Sequence, residues 1–160
     1  MSCYTNVSDF HAVFGHPHPD KLNQTIMNDD KLINFRIKLI EEEFNELKEA
    51  CQTKNLKETI DALADIEYVL NGMAVSMGID LPAAFNEVHA SNMSKICKTK
   101  EEVLETIEYY KTLKGFENIV VGYRPCTTKS GFVVYNEADG KILKSKYFKV
   151  PDFSFMLNSS

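Results

Sequence analysis

The segment "LKETIDALADIEYVLNGMAVSM", Leu56 to Met77, constrains this chain most. Ala62, Leu63, Ala64, Ile66, Tyr68, Val69, Leu70, Met73 and Val75 surround nearly the whole circumference of a helix. A helix apolar all round is expected to be buried. Yet Glu58, Asp61 and Asp65 fall together along one side of it, since each helical residue advances about 100°. Unpaired carboxylates resist burial unless something compensates their charge. The segment is therefore expected in a helical body that handles a buried acidic stripe.

The preceding helix, expected from about Asp30 to Cys51, poses the same problem. Ile33, Ile37, Ile40, Phe44 and Leu47 recur at helical spacing. Lys38, Glu41, Asn45, Lys48 and Glu49 form a solvated arc. Glu43 and Glu46 fall on the edge expected to turn inward, with Glu42 beside them. "QTKN" is a short turn, so the two helices are expected as antiparallel neighbours with both acid groups facing one cleft. Against these six acids stands one nearby arginine, Arg36. Cations are then the better compensation, and an all-oxygen donor set suits Mg²⁺ or Mn²⁺. The plainer alternative is a helix hairpin carrying solvated acids and ion pairs.

Elsewhere the helical reading continues. A short helix over "FHAVF", capped by Ser8 or Asp9, ends at Gly15. A third long helix is capped by Asp80, starts with Pro82 in its first turn and runs through Cys97. Thr99 and Glu102 have capping-box spacing and open a fourth over "EEVLETIEYYKTL". Beyond Gly115, "NIVVGYR" and "GFVVYN" are β-branched and aromatic, and "EADG" turns into "KILK". The expected fold is mainly α, with a helical domain over 1–115. Residues 116–160 form a β-hairpin extension, too small to fold alone, packed on the same domain or on a partner subunit.

The full sequence has 160 residues and a net charge of −5. That acidity argues against nucleic acid as the main partner. No apolar run approaches a membrane span. "MSCYTNVSDF" lacks the features of a secretory signal, and Cys3, Cys51, Cys97 and Cys126 form no CxxC pair. A cytoplasmic protein with reduced thiols is expected.

"EEFNE" gives E-E-x-x-E at Glu42–Glu46, and "ETID" gives E-x-x-D at Glu58–Asp61. With "FRIKLIEEEFNEL", "DALADIEYVLNGMAVSMGID" and "HASNMSK", this ordered set resembles the all-α nucleoside triphosphate pyrophosphohydrolases. The likeness is greatest to the MazG-like group similar to phosphoribosyl-ATP pyrophosphohydrolase, over roughly residues 7 to 100. The resemblance implies a bundle of four or five helices that forms a homodimer or tetramer. It implies hydrolysis of a nucleoside triphosphate between its α and β phosphates, with Mg²⁺ or Mn²⁺ as cofactor. Glu43, Glu46, Glu58, Asp61 and Asp65 would hold the metal. Glu42, Glu43 and Glu46 would be catalytic, Glu42 orienting water or taking its proton. His11, Phe14, Arg36, Asn92 and Lys95 would bind substrate. The alternatives are phosphoribosyl-ATP hydrolysis in histidine synthesis, and a non-catalytic helical dimerisation module.

Overall fold

The computed structural model describes residues 2–116 and 119–158, which form a mainly helical protein with a small antiparallel hairpin. The helices are α1 (Cys3–Phe14), α2 (Asp30–Gln52), α3 (Leu56–Met77), α4 (Leu81–Met93), α5 (Lys100–Thr112) and the short α6 (Ser154–Leu157). The strands are β1 (Val121–Pro125) and β2 (Phe132–Asn136). None of the described helices is long and apolar enough to cross a membrane. The chain divides into two compact units. One holds residues 1–84 and 153–160, and the other residues 85–152.

In the first unit, α2 and α3 pack as a helix hairpin and α1 packs on α3. The turn between α2 and α3 is closed by Asn55 N–H donating to the Ala50 carbonyl at 2.9 Å. Lys54 sits in the left-handed region at φ 55°, unusual for a side-chain-bearing residue. Asn55 caps α3, its Oδ1 accepting from Glu58 N–H at 3.3 Å. Val7, Ala50, Ala62, Ala74 and Val75 supply the core. α1 is longer than the sequence reading: Ser2 caps it, accepting from Thr5 N–H at 3.2 Å, and Ser8 and Asp9 lie mid-helix.

The expectation that α3 is buried all round holds only for its C-terminal half, where Asn71, Gly72 and Ala74 to Met77 are inside. Towards its start, Leu56 is 72% exposed, Ile60 62% and Leu63 54%. The inward face of α2 is also turned from the expected arc. Arg36 and Ala50 are its buried residues, whereas Ile37 and Phe44 are exposed.

In the second unit, Cys97, Val103, Tyr110, Val134 and Leu143 form the core, with α5 against the hairpin. Thr99 caps α5 as expected, accepting from Glu102 N–H at 3.2 Å, and Glu102 accepts from Lys98 N–H at 2.6 Å. α4 stops at Met93, short of Cys97, because Cys97 exchanges backbone hydrogen bonds with Phe132 instead, at 2.9 and 2.8 Å. The expected first strand began at Asn118, which lies outside the described residues. The "KILK" segment makes a single bridge, Tyr135 with Ile142, and not a third strand. The chain after it is fastened by Lys144 N–H to the Tyr110 hydroxyl (3.0 Å) and Lys146 N–H to Thr106 Oγ1 (3.1 Å).

Candidate functional site

The α2–α3 hairpin gathers the acids that the helical spacing placed on one side. The expected burial of the stripe is not met: Glu43 is half-buried, but Glu42, Glu46, Glu58, Asp61 and Asp65 are exposed, because the first half of α3 lies open. Burial pushes the Glu43 carboxyl above the ordinary carboxylate value, and the negative charges of Glu46, Asp65, Glu42 and Asp61 push it further. Five carboxylates from two helices thus share one electrostatic neighbourhood. Towards the hairpin turn, Glu46, Glu58 and Asp61 also line a cleft of about 360 Å³ with Glu49, Thr53 and Asn55.

Basic compensation is sparse. Lys38 pairs with Glu42 at 3.4 Å and Lys57 with Glu58 at 3.5 Å. Both pairs are solvent-exposed, where such contacts contribute about 0–1 kcal/mol. Among the described residues, Glu43, Glu46, Asp61 and Asp65 form no salt bridge. Arg36, the one nearby arginine, turns elsewhere. Its Nη2 donates to His11 Nε2 at 3.2 Å. Among the described residues, no three acid, histidine or cysteine side chains are placed as a ready metal-binding group. The donor chemistry still fits a hard divalent cation, because clustered carboxylates of which four have no salt-bridge partner among the described residues are what such an ion neutralises. Flexible glutamates on facing helices allow that convergence.

Arg36 and His11 meet in the first unit's interior. His11 is 1% exposed and Arg36 6%. His11 Nδ1 donates to the Pro17 carbonyl at 2.8 Å, so Nε2 is left as the acceptor for Arg36. Burial chiefly, and then the Arg36 charge, hold the His11 ring below its ordinary pKa, although the Pro17 bond opposes them. Burial also lowers that of Arg36. Among the described residues Arg36 Nε is buried without a hydrogen-bond partner. Gly72 makes room for the pair: a Cβ there would lie 3.1 Å from Arg36 Nη1. Beside them is a cavity of about 150 Å³ walled by Phe10, Phe35, Tyr68 and His16. Phe14 does not line it. It is 64% exposed and packs on Phe10 with ring centroids 4.3 Å apart.

Asn92 and Lys95 belong to the second unit, where Lys95 Nζ donates to Asn92 Oδ1 at 2.8 Å. Sequence reasoning missed Glu49 in the acidic cleft, because a helical wheel places it on the solvated arc. It also missed Phe10, Phe35 and Tyr68 as cavity walls. Their signal was adjacency: Phe10 precedes His11, Phe35 precedes Arg36, and Tyr68 follows Asp65 by three residues.

A family model described as phosphoribosyl-ATP pyrophosphohydrolase matches residues 7–92, more than half of the chain. That segment contains the α2–α3 acids, His11, Arg36 and Asn92. The chain is also 31% identical to an uncharacterized protein of Acanthamoeba polyphaga mimivirus, over 96% of this chain and 95% of that protein. The second likeness extends through the C-terminal hairpin.

Proposed function

Because the chain belongs to the phosphoribosyl-ATP pyrophosphohydrolase family, we propose that it is a metal-dependent nucleoside triphosphate pyrophosphohydrolase acting in nucleotide-pool housekeeping. In this reading it converts a (deoxy)nucleoside triphosphate and water to the monophosphate and pyrophosphate. The observation that carries the reading is the acid group on the α2–α3 hairpin, with Glu43 pushed up by burial and then by the charges of its neighbours, and Arg36 committed to His11.

Glu43, Glu46, Glu58, Asp61 and Asp65 are the residues that would hold Mg²⁺, with Mn²⁺ as a substitute. Such a cation supplies charge neutralisation of the polyphosphate and acidification of water. Glu42, at the exposed edge of the group, orients the attacking water and accepts its proton. The water oxygen bonds to the α-phosphorus, and the bond from that phosphorus to the α–β bridging oxygen breaks. Pyrophosphate leaves with the bond's electron pair. Asn92 and Lys95 suit contacts to ribose or phosphate. His11 and Phe14 are assigned to the base, and Arg36, beside His11, to phosphate.

The active unit is a homodimer or tetramer in this reading. Its support is the row Leu56, Ile60, Leu63 and Leu70, exposed along α3. A second copy of the chain would cover such a face.

The test is hydrolysis of a panel of canonical and modified triphosphates, with Mg²⁺ and with chelator, and product identification. Monophosphate and pyrophosphate in equal amounts, only with metal, are expected. Orthophosphate as the first product, or equal rates in chelator, overturns the reading. The family's own description favours one other reading, phosphoribosyl-ATP as substrate. It is separated by including that compound in the panel. A chain that turns over nothing in the panel, yet still dimerises, is a non-catalytic helical module.

A further inference from the structure

The second unit has a cavity of about 330 Å³ between the end of α4 and the β1–β2 loop. All of its lining residues except Asn92 lie beyond the segment that the family model matches. Among the residues that line it are Lys95, Arg124 and Lys129, together with Thr127 and Thr128. Among the described residues no acid lines it, in a chain whose net charge is −5. Among the described residues none of the three cations makes a salt bridge. Lys95 donates to a neutral amide oxygen, which leaves its charge uncompensated. Its apolar floor is Ile96, Val133 and Ile142.

The cations are brought together by backbone. Cys97 exchanges two hydrogen bonds with Phe132, which fixes the hairpin just after Lys95. Arg124 pairs with Val133 in the antiparallel register, so their side chains share a face of the hairpin. Cys126 N–H donates to the Gly131 carbonyl at 2.9 Å and closes the loop that bears Thr127, Thr128 and Lys129. Gly131 has φ 117°, and a Cβ there would lie 2.8 Å from the Cys97 carbonyl oxygen. The loop base is therefore held at close backbone approach.

Three cationic residues without a salt bridge, and two threonines, lining one cavity match a phosphate, which arginine grips with paired N–H donors. The volume and the apolar floor call for more than a bare anion, since pockets of this size enclose whole small molecules. The geometry points to a pocket for a nucleoside monophosphate, its phosphate on Arg124, Lys129 and Lys95 and its nucleoside on the apolar floor. This deepens the reading above at Asn92 and Lys95, and rests on it there. Arg124, Thr127, Thr128 and Lys129 are additions of the hairpin.

The test is calorimetric titration of the full chain in chelator with the common nucleoside monophosphates, free nucleosides and inorganic phosphate. At least one monophosphate is expected to bind saturably, and about tenfold or more tighter than its nucleoside or free phosphate. Arg124→Ala and Lys129→Ala should each weaken it by about tenfold, with Arg124→Lys intermediate and melting temperatures near wild type. Monophosphate binding by a wild-type chain that hydrolyses nothing in the triphosphate panel concerns only the catalytic reading. No saturable monophosphate binding in wild type overturns the pocket. So does unchanged affinity in both alanine variants, or equal affinity for phosphate alone.

Discussion

Glu43 is the residue on which the acid group turns. It is half-buried, it comes from α2, and it feels the charges of Asp61 and Asp65 across the helix hairpin. Removing its charge removes the link between the two helices' carboxylates. Glu43→Gln, Glu46→Gln and Asp61→Asn should each lower pyrophosphate release by about 10²-fold or more, as loss of a charge-stabilising group does. Glu41→Gln, on the solvated arc, should leave the rate near wild type. Equal losses in both sets would place the acids outside the chemistry. His11 sets a second, independent expectation. Its ring is held neutral in the fold, below the ordinary value of 6.5, chiefly by burial. Below that pH the unfolded chain binds the proton and the folded one resists it. Stability is therefore complete above about pH 6.5 and falls as the medium is acidified towards the folded pKa. Melting temperatures from pH 7.5 to 5 should fall more steeply in wild type than in His11→Gln.

At the scale of elements, the hairpin loop is the part with least freedom to change. Gly131→Ala forces a Cβ against Ile96 Cγ2 and the Cys97 carbonyl oxygen, at a φ that L-residues avoid. The variant should lose about 1–3 kcal/mol in urea unfolding. The α2–α3 hairpin and its acid group were legible in the sequence because helical period and turn length are local properties. Thr99 and Glu102 announced α5 for the same reason. The ends of α1 and α4 were not legible. Ser2 outcompeted Ser8 and Asp9 as a cap, and a distant partner, Phe132, drew Cys97 out of helix. Composition could show that α3 is apolar on many sides but not which side has a neighbour. The aromatic cavity and the basic pocket combine residues remote in sequence, so no single window contains either.

For the whole molecule, the exposed row on α3 decides the expected assembly. Leu56, Ile60, Leu63 and Leu70 fall within about 80° of arc, roughly opposite Glu58, Asp61 and Asp65. A partner copy can therefore cover the row without covering the acids of α3. Sedimentation at micromolar concentration should give a dimer or tetramer, and Ile60→Asp with Leu63→Asp should shift it towards monomer. A wild-type monomer with full activity would remove this expectation. Metal acts on the molecule as a whole by mass action. At about a hundredfold excess over Kd, a cation that binds only the folded chain stabilises it by about 2.7 kcal/mol. Mg²⁺ should raise the melting temperature reversibly in wild type and far less in Glu43→Gln. The division of the chain has its own consequence. Residues 85–152 are bracketed by the two stretches of the other unit, and Gln24 Nε2 donates to the Leu157 carbonyl at 2.8 Å within that unit. The second unit is thus an insertion within the first in chain order: the backbone leaves the first unit once, within α4, and re-enters it once, before α6.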